Sequence, residues 1–259
     1  MVVDGHVHLE EELPVEALLK TMDAGGVDRA VLLAAAQAPL PRMPRRLAFF
    51  RACLDVQAIR MPAYRIASRM RPKHFERPDN QPVFDAAREH PDRFLPFAFL
   101  NPALGQEAQD ELDRRLPEGA RGVKLHLWFH GYRLSDAVPV LRRAEREGLP
   151  VLAHLGLGPP EDVEHVLDTC PKLKLILTHA GIPHFDRLWR VDSPRLLFDI
   201  AGPLVPERMP ARLLRAVGPE RVVYGSDAPI GVRLPNGHGY ELPSLPDRAM
   251  GENLASLLA

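Results

Sequence analysis

Short apolar runs and helical patterns alternate eight times along this chain, and few folds accept that rhythm. The spacing predicts strands over Val2–Leu9, Arg29–Ala36, Arg93–Leu100, Arg121–Trp128, Val151–Leu155, Leu173–His179, Arg195–Ile200 and Arg221–Tyr224. Several are near-continuous apolar runs, such as Leu173-Lys174-Leu175-Ile176-Leu177 and Val222-Val223-Tyr224. Runs of that kind belong to strands covered on both faces. Between them, helical patterns cover Pro14–Ala24, Pro82–His90, Gln106–Leu116, Ser135–Glu147, Pro160–Thr169, Pro183–Trp189, Pro206–Ala216 and Leu245–Leu258. Several open on proline, whose missing N–H costs nothing in a first turn. Others stop at Gly25-Gly26, Gly148 or Gly218, as helix ends do. Eight strands in alternation with eight helices favour an α/β (β/α)8 barrel, a TIM barrel, forming one domain over 1–259. An open doubly wound sheet would need fewer strands, and no glycine-rich phosphate loop follows the first one. One departure is 37–81, too long for a plain loop. It is expected to carry helices of its own, around Arg45–Arg60, and to sit over the barrel mouth as an inserted lid.

Composition excludes several roles. With 46% hydrophobic and 26% charged residues over 259 positions, the chain has ample material for a globular core. A net charge of -1 argues against nucleic acid or a membrane surface as partner. No apolar run approaches the ~20 residues of a membrane span, and no signal peptide is visible. Cys53 and Cys170 stand far apart, which gives no disulfide framework and fits a reducing, cytoplasmic setting. The expected partner is a small-molecule substrate; self-association into a homo-oligomer stays open.

In such a barrel, reactive groups gather at the C-terminal ends of the strands. The first strand delivers His6 and His8 in Asp4-Gly5-His6-Val7-His8, on one side because side chains alternate. The fourth offers Lys124 and His126, the fifth His154 and the sixth His179. Asp227 follows the eighth. Imidazoles and a carboxylate suit a divalent ion, most readily zinc. A buried lysine is costly unless neutralised, paired or modified.

The segments Asp4-Gly5-His6-Val7-His8, Leu152-Ala153-His154, Leu177-Thr178-His179-Ala180-Gly181 and Tyr224-Gly225-Ser226-Asp227-Ala228-Pro229 resemble the signatures of the amidohydrolase superfamily. The closing Met250-Gly251-Glu252-Asn253-Leu254 is similar to the terminal helix of its amidohydrolase-2 branch, which includes nonoxidative decarboxylases. The resemblance implies one ion held by His6, His8, His154 and Asp227, with His179 orienting or deprotonating a water. In binuclear members a carboxylated lysine bridges two ions, a place Lys124 would fill. His154 and His179 would then hold the second ion.

The implied reaction is attack of a metal-activated water on an amide, ester or lactone carbonyl, with Asp227 as proton shuttle and His179 assisting. Two alternatives accompany it: nonoxidative decarboxylation of an aromatic or unsaturated acid, and a catalytically silent barrel that only binds. Lys124 reads equally as a salt-bridged or a carboxylated lysine. His126 reads as ligand, substrate contact or packing, and Trp128 as pocket lining or packing. Asp199, at the end of the seventh strand, reads as a partner of a ligand histidine or as a cap.

Overall fold

All eight expected strands form, and they pair in the order of the chain. A computed structural model describes residues 1–35, 62, 75–202, 205–206, 208–230, 239–240 and 242–258. The lid expected over 37–81 lies outside the described residues, apart from Pro62 and 75–81. The elements run β1 (Val3–Leu9), α1 (Val15–Gly25), β2 (Arg29–Ala34), α2 (Gln81–Glu89), β3 (Phe94–Leu100), α3 (Gln106–Arg115) and β4 (Gly122–His126). They continue with α4 (Leu127–His130), α5 (Val138–Arg146), β5 (Val151–His154), α6 (Glu161–Thr169), β6 (Leu175–Leu177) and α7 (Phe185–Leu188). The last are β7 (Leu196–Asp199), α8 (Met209–Val217), β8 (Val222–Val223) and α9 (Asn253–Leu258).

Every neighbouring pair is parallel, from β1–β2 through β7–β8. The ring closes beyond β8. Gly5 N–H donates to Tyr224 O (2.9 Å), His8 N–H to Ala228 O (2.8 Å) and Asp227 N–H to His6 O (2.8 Å). Among the described residues no helix is long and apolar enough to cross a membrane.

Several boundaries differ from the expectation, each for a local reason. β4 stops at His126 rather than Trp128, because the chain winds into α4, whose Phe129 N–H is capped by His126 Nδ1 (3.2 Å). β6 ends at Leu177 rather than His179, because His179, Ala180 and Gly181 all take positive φ. The helix expected at Ser135 begins as a 3-10 turn over Leu134–Ala137. The terminal helix begins only at Arg248, with a π turn over Arg248–Glu252.

The barrel interior is stratified. Its floor is apolar: Val3, Val31, Leu33, Leu95, Phe97, Leu152, Ile176, Leu197 and Val223 share one buried cluster. Leu254 and Leu258 of α9 join the same cluster, so the terminal helix plugs the bottom. Asn253 fixes that plug by donating from Nδ2 to Pro219 O (2.7 Å) and Val222 O (2.8 Å). Gly122 faces the Phe97 ring, and a Cβ there would lie 2.4 Å from it.

Strand β1 serves floor and mouth through a change of phase. Val3 lies in the interior cluster and Val7 in the outer one, although strict alternation would put them on one face. The register to β2 shifts between Asp4 and Val7, as in a β-bulge. The extra residue lets Val3 face inward below while His6 and His8 face inward above. Gly5 stands at the shift because a Cβ there would meet Tyr224 O at 2.9 Å.

Candidate metal centre at the barrel mouth

His6, His8 and Asp227 converge, with their ligand atoms all within 4.8 Å of one another. The two histidines are each set by a partner at Nδ1. His6 Nδ1–H donates to Asp199 Oδ2 (2.8 Å), and His8 Nδ1–H donates to Ala34 O (2.7 Å). Both acceptors lack protons to give, so both rings carry their lone pair on Nε2. The two Nε2 atoms then face each other at 3.3 Å, with Asp227 Oδ1 3.5 Å from that of His6. Lone pairs and a carboxylate pointed together repel unless a cation lies among them. The donor set fits a divalent ion.

Lys124 supplies one positive charge at this point. Wholly buried on β4, it donates from Nζ to His6 Nε2 (3.1 Å). Burial pulls its pKa down, while Asp199 and Asp227 pull it back up. Burial pushes the Asp227 carboxyl well above the ordinary range, against the opposing pull of Lys124. His8 is pulled down to about 3, first by burial and then by Lys124. The imidazoles are therefore neutral near pH 7, the form in which they bind metals.

The backbone around these groups is bent to suit them. His179 and Asp227 sit at φ 54° and 59°, a region that side-chain-bearing residues seldom adopt. Gly202, at φ 89°, passes close by: a Cβ there would lie 2.9 Å from both Asp227 Oδ2 and His179 Nδ1. Asp199 binds the bend together. Its Oδ1 accepts from His179 N–H (2.7 Å) and Ala201 N–H (3.0 Å) while Oδ2 holds His6. One side chain thus both holds the His6 ring and caps the turn at His179.

His154 and His179 form a pair of their own beside the triad. His179 Nδ1–H donates to Ala201 O (2.7 Å), which leaves its Nε2 to accept from His154 Nδ1–H (3.3 Å). The remaining lone pair of His154 is on Nε2, as a metal ligand requires. His126 stands next to His154 in register, with ring centroids 4.1 Å apart. Trp128 packs near both, 6.0 Å from His154 and 6.4 Å from His126.

Three contributors escape the sequence reading. The carbonyls of Ala34 and Ala201 orient the rings of His8 and His179 but leave no trace in residue type. Asp4 is buried, and its Oδ1 accepts from His6 N–H (3.0 Å) and Ser226 N–H (2.9 Å), tying β1 to the Asp227 loop. Its place two residues before His6 was the available signal. Burial pushes the Asp4 carboxyl up to about 6, with Ser226 and His6 opposing.

A family model described as amidohydrolase matches residues 3–233. The chain belongs to the amidohydrolase family and is an enzyme of it. Among solved structures, it is similar to a TIM-barrel protein from Bordetella bronchiseptica at 18% identity, with TM-score 0.69 and coverage of 99% and 98% of the two chains. It is similar to 2,6-dihydroxybenzoate decarboxylase from Rhizobium at 16% identity, TM-score 0.59 and coverage of 99% and 98%. A third likeness is to 5-carboxyvanillate decarboxylase from Novosphingobium aromaticivorans, which holds manganese (15% identity, TM-score 0.58, coverage 89% and 87%). At these identities the likeness concerns the fold. No curated protein matches.

Proposed function

We propose that this enzyme is a metal-dependent hydrolase that cleaves an amide, ester or lactone carbonyl of a small molecule. The observation that carries this reading is the pair of facing Nε2 lone pairs of His6 and His8, closed by the Asp227 carboxylate. His6, His8 and Asp227, with His154 adjoining, would hold the ion, proposed as zinc. Such an ion polarises a carbonyl and brings the pKa of water toward neutrality.

The chain's own groups do the rest. Asp227, raised by burial, can take a proton at a carboxylate oxygen near neutral pH and return it to a leaving group. His179 lies between His6 and His154, with ring centroids 5.5 and 4.6 Å away. From there a neutral imidazole assists by passing a proton at Nε2. Lys124 offsets negative charge that builds beside His6. The two isolated cysteines support a cytoplasmic setting, and the substrate is taken to act alone, without nucleic acid or membrane.

Metal analysis of the purified protein and turnover of a panel of lactones, esters and amides test the reading. His6→Ala should lose bound metal, and Asp227→Asn should keep it while turnover falls by about 100-fold or more. Unchanged turnover in Asp227→Asn would remove the proton shuttle. Decarboxylation of an aromatic or unsaturated acid is the second reading, favoured by the names of the two decarboxylases of similar fold. Carbon dioxide released from a carboxylated substrate, with no hydrolysis product, would decide for it.

A further inference from the structure

Where the barrel closes, the hydrogen-bond ladder between β1 and the Asp227 loop falls out of step. Gly5 N–H donates to Tyr224 O, and Asp227 N–H donates to His6 O. Gly5 and His6 are adjacent, whereas Tyr224 and Asp227 stand three residues apart. On the other side, neither Gly5 nor His6 pairs in register with β2, because the strand bulges there. The mismatch leaves the N–H groups of His6 and Ser226 without a rung, in residues that are both buried. A buried N–H with no acceptor is costly, so something other than the ladder must meet them.

Asp4 supplies that acceptor. Its single Oδ1 takes both His6 N–H (3.0 Å) and Ser226 N–H (2.9 Å). Gly5 cannot help, because a Cβ there would lie 2.9 Å from Tyr224 O, so the filling side chain comes from the residue before. Two successive N–H groups are thereby fixed, Ser226 by Asp4 and Asp227 by His6 O. Between them Asp227 is held at φ 59°. A side-chain-bearing residue keeps that conformation only where its surroundings enforce it. The same oxygen fixes the backbone of His6, whose Nε2 lies 3.5 Å from Asp227 Oδ1.

We propose that Asp4 is a positioning residue of this enzyme: one shared oxygen sets where the Asp227 carboxylate stands relative to the imidazoles of His6 and His8. Asp4 acts through the backbone of its neighbours, and the place of its acceptor matters rather than its charge. This rests on the reading of His6, His8 and Asp227 as the reaction centre.

Cobalt(II) is the probe, because its visible absorption reports the arrangement of its ligands. Asp4→Asn keeps an acceptor oxygen at the same reach, and its amide N–H has the Tyr240 hydroxyl beside it. It should bind cobalt with the parent's spectrum and within about threefold of its affinity. Asp4→Ala removes the acceptor, and Asp4→Glu keeps the charge but moves the oxygen one methylene further out. Both should alter the spectrum and weaken binding by about tenfold or more, measured by chelator competition well below the melting temperature. An acid that serves folding alone would lower the melting temperature and leave spectrum and affinity unchanged. Should one of the two fail to fold, the other decides. The proposal alone falls if Asp4→Ala or Asp4→Glu matches the parent while His6→Ala loses cobalt, or if Asp4→Asn is impaired as much as Asp4→Glu. A parent that takes up no cobalt, or a His6→Ala variant with the parent's spectrum and affinity, overturns the triad reading and this inference with it.

Discussion

Asp199 accepts three hydrogen bonds from three residues, His6, His179 and Ala201, and the identity of its oxygens matters at each. An asparagine there could still accept from the two backbone N–H groups through its oxygen. Its amide nitrogen, however, would present a proton to His6 Nδ1, and the ring would answer by moving its own proton to Nε2. That turns the lone pair away from His8 and Asp227. Asp199→Asn should therefore weaken zinc binding by about 10–100-fold with little change in melting temperature, measured by chelator competition and thermal unfolding. An affinity equal to the parent's would show that Asp199 merely caps the turn. The convergence of His6, His8 and Asp227 was legible because strand alternation and the strand-end motifs place them at one mouth. Their tautomers were not, because these depend on acceptors from β2 and β7 far off in sequence.

At the scale of elements, the loop after α4 is tied to the start of α6 by Arg133 and Asp162. Arg133 donates from Nε (3.1 Å) and Nη2 (2.6 Å) to the carboxylate, and Ser135 adds its hydroxyl (3.2 Å). Burial pushes the Asp162 carboxyl up, but Arg133 and Ser135 together bring it below its ordinary value. A lowered folded pKa means that the stabilisation is full above the unfolded value near 3.9 and is lost as pH falls through the folded one. Asp162→Asn should cost about 1–2 kcal/mol at neutral pH, discounted because Arg133 is largely exposed. The difference from the parent should vanish in acid, as followed by denaturant unfolding across pH. A difference that persists unchanged in acid would assign the effect to shape rather than charge. Elements themselves were read well from periodicity; their ends were not. β6 stops where His179 turns to positive φ, and β4 stops where His126 caps α4. The first stop is held from β7, where Asp199 accepts from His179 N–H; the second is a local cap, hidden within a run of apolar residues that reads as continuing strand.

For the whole molecule, floor and mouth are separate layers. The floor depends on α9, since Leu254 is 1% exposed among the inward residues of β1, β2 and β8. Leu254→Ala should cost about 2–5 kcal/mol, read from equilibrium unfolding, because the cavity lies where no side chain can collapse into it. A loss below about 1 kcal/mol would mean that the helix sits on the barrel without completing it. The sequence pattern placed this helix at the end of the chain, yet gave no sign that its leucines join the inward residues of the strands. Periodicity identifies an apolar face but not its partner.

That plug has a kinetic meaning. Among the described residues the floor of the barrel is filled by side chains, so whatever enters to react and whatever leaves afterwards share the mouth and must take turns there. Products that linger there should exclude the incoming molecule outright.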